Sequence, residues 1–398
     1  MRVGGNQVSQ AYSNKVKLIY NPMKYLLITA LLVNSLLTEA QSGRPRGYGI
    51  VIGFLNTGKN NAITDVPGVK VGHTTLQMGD SVNTGVTAIV PHSDNIFQNK
   101  VPAAIFISNG FGKLTGYSQV EELGNIETPV ILTNTLSVPV AADALIDYTF
   151  QFPENRGVRS VNPVVGETND GALNDIRGRY INKEHVLEAI RNADTGIVRE
   201  GNVGAGTGTS CLGFKGGIGT ASRILPGSGG GYTVGVLVQT NFGGTLQING
   251  VPVGKELGKS RFRNITSEYR EDGSCMIVIM TDAPLSPGNL KRLASRAIFG
   301  LARTGGSGSN SSGDYAIAVS TATDLRIPYN SASMYEENRV LRNDRLDLLF
   351  QACAEATEEA IINSLFAAKT VTARNSIRIE SLPVEKTISI MKEYNRIK

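Results

Sequence analysis

Hydrophobic and polar positions along the chain follow two different periods. Runs rich in β-branched residues predict strands, whereas apolar residues at three- and four-residue spacing predict helices. The predicted strands are Val86–Val90, Ala103–Ser108, Val130–Thr133, Tyr232–Thr240, Cys275–Thr281 and Tyr315–Ser320. The predicted helices are Val140–Ile146, Lys183–Ala193, one that starts at Ser286-Pro287, and Ala352–Ala368. The alternation predicts a mixed α/β protein in layers, with helices outside and sheet inside.

Turn chemistry refines this pattern at two places. Asn61–His73 contains a Pro-Gly turn between short apolar runs, which predicts a hairpin. Gly201–Gly219 is a glycine-rich loop with a Gly-x-Gly at Gly204 and Gly206, but position 209 is Thr and no Gly-Lys-Ser/Thr follows. We therefore expect close backbone packing in this loop rather than a phosphate site.

The first forty residues differ in composition from the rest of the chain. Met23-Lys24 and the apolar Tyr25–Leu37 are typical of a secretory signal that starts at Met23, and Thr38-Glu39-Ala40 supplies small residues for cleavage. An uncleaved anchor is the alternative. We expect a leader at 1–40, then a single domain at 41–398 in the periplasm or outside the cell.

Charge and cysteine content narrow the function classes. The net charge is +5 over 398 residues, and residues 1–40 carry +3 of it. No basic block interleaved with aromatics follows, so nucleic-acid binding has little support. The three cysteines, Cys211, Cys275 and Cys353, are widely spaced and form no metal-type cluster. We expect buried thiols, no metal and no cofactor.

Common hydrolase signatures are missing from the sequence. There is no Gly-x-Ser-x-Gly elbow and no His-Glu-x-x-His pair. Only His73, His92 and His185 are present, and no pattern selects either of the first two for a Ser-His-Asp triad. Such a triad stays open as an alternative. A serine hydrolase poor in histidine can also use a free α-amine as its base, because the pKa of an α-amine, about 7.7–8.0, suits that task.

Gly273-Ser274 offers such an amine. It lies where the polar turn 270–273 enters the apolar run Met276–Met280. Cleavage before Ser274 would make that serine an N-terminal residue whose own amine serves as base. Gly273 suits the scissile position because it lacks a Cβ. An ordinary Asp-Gly turn before a strand is the alternative interpretation.

Long motifs beside this serine resemble one known family. The chain is similar, over residues 45–385, to the self-processing β-aminopeptidase and L-aminopeptidase/D-esterase-amidase family. The likeness rests on Asn61–His73, Asn109–Lys113, Val120–Gly124, Glu127–Pro129, Gly166–Asp170, Gly204–Gly208, Lys215–Ser222, Gln239–Gly243 and Thr281–Leu285.

The resemblance implies a fold and a processing event. It implies an αββα sandwich like that of N-terminal nucleophile hydrolases, with different strand connectivity. Cleavage between Gly273 and Ser274 would give a 41–273 α-chain and a 274–398 β-chain. It also implies a homo-oligomer of processed protomers, with a tetramer favoured.

The resemblance also assigns roles to individual residues. Asn241 matches an oxyanion-hole amide, and Ser312 and Asp314 match a serine and an acid beside the nucleophile. That acid is Glu in relatives, so the shorter Asp314 is a departure. Glu167 matches an acid near the substrate's free N-terminus. A tyrosine of some relatives is replaced by Ala172, which leaves one contact unassigned.

Together these observations predict an exported, self-activating serine aminopeptidase. Its substrates would be short peptides, amides or esters with a free amine, and β-amino-acid N-termini are favoured. Three alternatives stay open: an L-aminopeptidase and D-amidase-esterase for small α-residues, an enzyme that passes acyl groups to amines, and a non-catalytic binding protein that keeps the fold.

Overall fold

The structure, a computed structural model, describes Met1, residues 43–259 and residues 273–397. The strands are β1 Lys70–Met78, β2 Val82–Val90, β3 Asn99–Gly110, β4 Asn125–Ile126, β5 Val130–Asn134, β6 Val164–Thr168, β7 Ser210–Cys211, β8 Phe214–Lys215, β9 Ile218–Ile224, β10 Thr233–Asn241, β11 Gly273–Thr281, β12 Ser312–Ser320, β13 Ile327–Pro328, β14 Val371–Thr372 and β15 Arg378–Ile379. The helices are α1 Tyr117–Leu123, α2 Val138–Phe150, α3 Lys183–Arg191, α4 Val253–Glu256, α5 Pro287–Arg303, α6 Asp347–Ala367 and α7 Val384–Glu393.

A large sheet places β11 at its centre. The strand order is β13-β3-β12-β11-β10-β9, with β4 paired to β3. Strand β11 runs antiparallel to β10 and parallel to β12. Since parallel neighbours need a crossover connection, helix α5 lies between β11 and β12 in the chain and packs on the sheet's outer face.

A smaller sheet, β1-β2-β5-β6, packs against the inner face of the large one. Its own outer face is covered by α2 and α3, while α5 and α6 cover the outer face of the large sheet. The layers are therefore helix, sheet, sheet and helix, and the predicted αββα sandwich is confirmed. All of these elements belong to the unit Gly43–Lys398.

The side chains of β11 show why the central strand is apolar at every position. Met276, Val278 and Met280 point between the two sheets, whereas Cys275 and Ile277 point to the helix layer. A strand buried on both faces needs no polar alternation. Helix α5 begins as predicted, because Ser286 caps the backbone N–H of Asn289 and Pro287 occupies the first turn.

Most predicted elements are present with shifted ends, and one prediction is wrong. The Pro-Gly turn in Asn61–His73 does not join two strands. A short 3₁₀ turn, Ile63–Asp65, precedes it, and only β1 follows. The side chains of Asp65 and Thr220 accept the backbone N–H groups of Asn60, Ala62 and Ile63, so this segment needs no strand partner.

The predicted leader, with its signal and its start at Met23, lies outside the described residues. Within the described residues, none of the helices combines the length and the apolarity that crossing a membrane requires.

Candidate active site

Ser274 lies at the beginning of the central strand β11, directly after Gly273. Its side chain faces the space between the sheets, on the same side as Met276, because successive side chains of a strand alternate. Ser274 is 4% exposed. The nucleophile predicted from the sequence is therefore a nearly buried hydroxyl at the beginning of a strand that is paired on both sides.

Asn241 is the strand partner of Ser274 across the β10–β11 pair. Its Nδ2 donates to the carbonyl of Asn169 at 3.0 Å and lies 3.4 Å from the Oγ of Ser274. The backbone N–H of Ser210 donates to Oδ1 at 3.1 Å, which fixes the amide orientation. A neutral donor held in this way can stabilise negative charge that develops beside the serine hydroxyl.

Ser312 and Asp314 lie on the other face of the sheet. They are paired through β12 with Gly273 and Cys275, respectively. The Ser312 hydroxyl donates to Asp314 Oδ1 at 2.9 Å, and Asp314 also accepts a backbone hydrogen bond from Cys275. Burial raises the pKa of Asp314 to about 6. The pair therefore lies next to the backbone of Ser274, where the α-amine would be, and not next to its hydroxyl.

Glu167 is a buried carboxylate in β6, one residue before the strand ends. Its Oε1 accepts the backbone N–H of Lys113 at 2.9 Å, and its Oε2 accepts the hydroxyl of Thr135. Among the described residues no Lys, Arg or His side chain forms an ion pair with it. A buried carboxylate held only by neutral donors is suited to bind a cation.

Gly112 lies between Glu167 and the strand pair that contains Ser274. The Cα of Gly112 lies 3.0 Å from the point where a Cβ on Gly313 would stand, and Gly313 is the β12 partner of Ser274. A Cβ on Gly112 would in turn lie 3.3 Å from Oε1 of Glu167. The carboxylate is thus on the β12 side of Ser274, opposite Asn241 on the β10 side.

Tyr315 is a site residue that sequence reasoning missed. Its hydroxyl lies 3.1 Å from the point where a Cβ on Gly112 would stand, and the ring faces the space between the sheets. Burial, and then the charge of Glu167, raise the pKa of Tyr315, so its hydroxyl stays protonated. Ala172, where some relatives carry a tyrosine, is exposed in a turn after β6. The signal that could have found Tyr315 is its position directly after Asp314, a residue that the family resemblance matches.

The histidines lie elsewhere. Nδ1 of His73 bonds the hydroxyl of Thr87 at 2.9 Å, and Nε2 of His92 bonds the carbonyl of Asn99 at 2.9 Å. Burial lowers the pKa of His73 to about 4. His185 caps helix α3. The three cysteines are buried, as predicted, and none is in a disulfide.

A cleft of about 270 Å³ opens beside Asn241, on the β10 side of the nucleophile. Ser210 of β7 and the residues just after β10 line it, and among the described residues three ionisable side chains do so as well: Lys259, Arg378 and Glu380.

Comparison with known proteins agrees with the sequence resemblance. The sequence profile of peptidase family S58 matches residues 61–379. Beta-peptidyl aminopeptidase BapA of Sphingosinicella microcystinivorans is 42% identical, over 94% of this chain and 99% of that protein.

Two solved structures share the fold over their full length. A Burkholderia sp. beta-aminopeptidase is 42% identical with a TM-score of 0.80, over 88% of this chain and 98% of that one. The L-aminopeptidase D-Ala-esterase/amidase of Ochrobactrum anthropi is 35% identical with a TM-score of 0.82, over 89% of this chain and 99% of that one. The latter is described as a new variant among the Ntn hydrolase fold, so the predicted likeness to N-terminal nucleophile hydrolases is confirmed.

Proposed function

The chain belongs to peptidase family S58 and is a serine aminopeptidase, and we propose that it activates itself by cleavage between Gly273 and Ser274. The observation that carries the proposal is the pair formed by Ser274 and Asn241, with the amide 3.4 Å from the hydroxyl directly after the scissile glycine.

The catalytic cycle uses the newly formed N-terminus. The Ser274 hydroxyl attacks the scissile carbonyl, and its proton passes to the residue's own α-amine. Asn241 donates to the oxyanion, and the amine returns the proton to the leaving nitrogen as the bond breaks. Water then attacks the ester on Ser274 and releases the N-terminal amino acid. Ser312 and Asp314 hold the backbone at the amine and tune its basicity.

Glu167 supplies the aminopeptidase specificity. Its two oxygens are held by neutral donors, and the free ammonium group of a substrate provides the missing positive charge. Substrates are short peptides, amides or esters with a free N-terminus. A β-amino acid at that end is favoured because a 42% identical relative is named for β-peptides.

The second candidate is hydrolysis of small L-α-amino-acid amides and D-amides or esters. The 35% identical Ochrobactrum enzyme, matched over 99% of its length, carries that name. Turnover of a β-homoalanyl anilide against an L-alanyl anilide by the same preparation decides between the two.

Processing is tested on a denaturing gel with N-terminal sequencing. We expect two fragments, the smaller of which begins Ser274-Cys275-Met276. Ser274→Ala should give one full-length, inactive chain, whereas the matched Ser210→Ala, which removes only a neighbouring hydroxyl, should still be cut. An intact wild-type chain that turns over substrate would overturn the proposal. An intact, inactive wild-type chain would favour the binding-protein alternative.

Location and assembly complete the proposal. The leader at 1–40 directs export, so that the mature enzyme acts in the periplasm or outside the cell. The processed α- and β-chains stay together and form a homo-oligomer, with a tetramer favoured. Cell fractionation and light scattering on the purified enzyme test these two statements.

A further inference from the structure

We infer that the cleft beside Asn241 is a leaving-group subsite that prefers substrates with a free carboxylate on the released side of the scissile bond. The inference rests on the proposed function. It narrows the substrate class to peptides short enough to place their own C-terminus in this cleft.

The position of the cleft sets its role. Different residues flank Ser274 on its two sides. Glu167 and Gly112 lie on the β12 side, and Asn241 lies on the β10 side. An ammonium group held at Glu167 fixes the acyl part of the substrate on the first side. The part beyond the scissile bond then extends to the second side, where the cleft shares Asn241 with the site.

The size of the cleft limits what it holds. Its volume of about 270 Å³ is just below the range of about 300–1,000 Å³ typical of pockets for drug-sized ligands. One or two residues of a leaving group fit such a space. A longer peptide would have to leave it for solvent.

The charged side chains that line the cleft determine which leaving groups it favours. Lys259 and Arg378 both line the cleft, and among the described residues no carboxylate forms an ion pair with Lys259. Glu380 is the opposing charge, with its Oε1 3.9 Å from Nε of Arg378. The side chains of Arg378 and Glu380 are about equally exposed, at 58% and 60%. Among the described residues that line the cleft, two cations face one carboxylate, so a carboxylate at the end of a short leaving group is favoured.

The effect is modest because the rim is open to solvent. Exposed ion pairs change affinity only a few-fold each. We therefore expect kcat/KM for a β-homoalanyl dipeptide to exceed that for its C-terminal carboxamide by about threefold to tenfold at low salt. The preference should shrink in 0.5 M NaCl, since salt screens exposed charges.

The test compares three substrates on four proteins: the dipeptide acid, its carboxamide, and a β-homoalanyl anilide whose leaving group is uncharged. In Lys259→Gln/Arg378→Gln the preference for the acid should disappear while anilide turnover stays within about twofold. Glu380→Gln should increase the preference. Arg374→Gln removes a cation from the same segment that pairs with Asp175 and does not line the cleft, and it should behave like wild type.

Equal turnover of acid and carboxamide by the wild-type enzyme would overturn the inference, as would a preference that survives in the double variant. Because the anilide carries no carboxylate, its turnover reports the proposed function separately. Absence of anilide turnover in wild type would overturn the proposed function, and the inference with it.

Discussion

At the scale of single residues, the hydroxyl of Ser274 and its backbone nitrogen have different neighbours. Asn241 contacts the hydroxyl from the space between the sheets, and Asp314 accepts a hydrogen bond from the backbone one residue further along. The Asn241 amide beside the hydroxyl is a neutral donor, which suits the oxyanion that develops on the carbonyl under attack. The amine would have a carboxylate nearby, which raises the pKa of an amine because opposite charge favours the charged form.

The pH dependence of catalysis follows from this arrangement. The amine acts as base only when neutral, so kcat/KM should rise with pH through the amine's pKa. Asp314→Asn removes the charge and keeps an oxygen for Ser312, so the rising limb should move to lower pH, by about one unit. Where Asp314 itself is protonated in the wild type, the two profiles should converge. Because the charged amine in turn lowers the pKa of Asp314, this happens below the value of about 6 that applies to the uncut chain.

The measurement is a kcat/KM profile between pH 5 and 10 with β-homoalanyl anilide, whose own amine titrates identically for every variant and therefore cancels in the comparison. Asp282→Asn is the matched control, because Asp282 follows the far end of the same strand and its pKa is also raised, mainly by burial. It should leave the limb in place. An unshifted limb in Asp314→Asn would show that this carboxylate does not act on the amine.

At the scale of elements, the predicted glycine-rich loop Gly201–Gly219, whose last two residues belong to β9, supports Asn241. Its β7 backbone donates to the amide of Asn241, and the Nζ of Lys215 donates to the carbonyls of Gly206 at 3.0 Å and Gly216 at 2.7 Å. A Cβ on Gly206 would lie 2.3 Å from the backbone nitrogen of Ile218. Glycines here permit close backbone packing, as the sequence predicts.

The side chain of Lys215, in this loop, makes the free energy of unfolding depend on pH. It is fully buried, and burial lowers its pKa to about 7 from an ordinary 10.5. The unfolded chain therefore binds more protons between these pH values, and the folded state gains stability as pH rises. We expect the stability of wild type relative to Lys215→Met to increase by about 3–5 kcal/mol between pH 6.5 and 10.

Urea denaturation at several pH values measures this difference. Lys255→Met removes an exposed lysine from α4 and serves as the control, with no such increase. A pH-independent difference for Lys215→Met would mean that this side chain keeps its ordinary pKa in the folded protein.

At the scale of the whole molecule, a buried charge network joins parts of the chain on both sides of Ser274. Nε of Arg223 in β9 lies 3.0 Å from Glu355, and its Nη2 lies 2.6 Å from Glu359, both in α6. Glu359 also accepts from Arg46 and from Asn61. The network therefore connects what would become the α- and β-chains.

Removing Arg223 should cost much stability, since it leaves a buried carboxylate without its cation. We expect Arg223→Met to lower the free energy of unfolding by about 3–5 kcal/mol. Arg223→Met/Glu355→Gln should lose less than the sum of the single variants, because Glu355 then carries no charge. Arg342→Met, which breaks an exposed pair with Asp344, is the control and should change stability by less than about 1 kcal/mol. Strict additivity in the double variant, measured by denaturant unfolding, would contradict this account.

The sequence by itself determined most of the long strands and helices, and it predicted Ser274 as the nucleophile. Periodicity and caps are local signals, which is why β11 and the start of α5 were predictable to within two residues. The resemblance located Asn241, Glu167, Ser312 and Asp314, although their roles stay predictions.

Only the tertiary structure decided how these residues are distributed around the serine. Strand pairing and the pleat of the sheet place Asn241 beside the Ser274 hydroxyl and Asp314 on the opposite face, near the backbone of Ser274. Neither position can be deduced from the spacing of these residues along the chain. Non-local hydrogen bonds explain the absent hairpin at Asn61–His73, where Thr220 replaces a strand partner. Tertiary structure also decided where Tyr315 lies and how the cleft beside Asn241 forms, since each brings together segments that are far apart in the sequence.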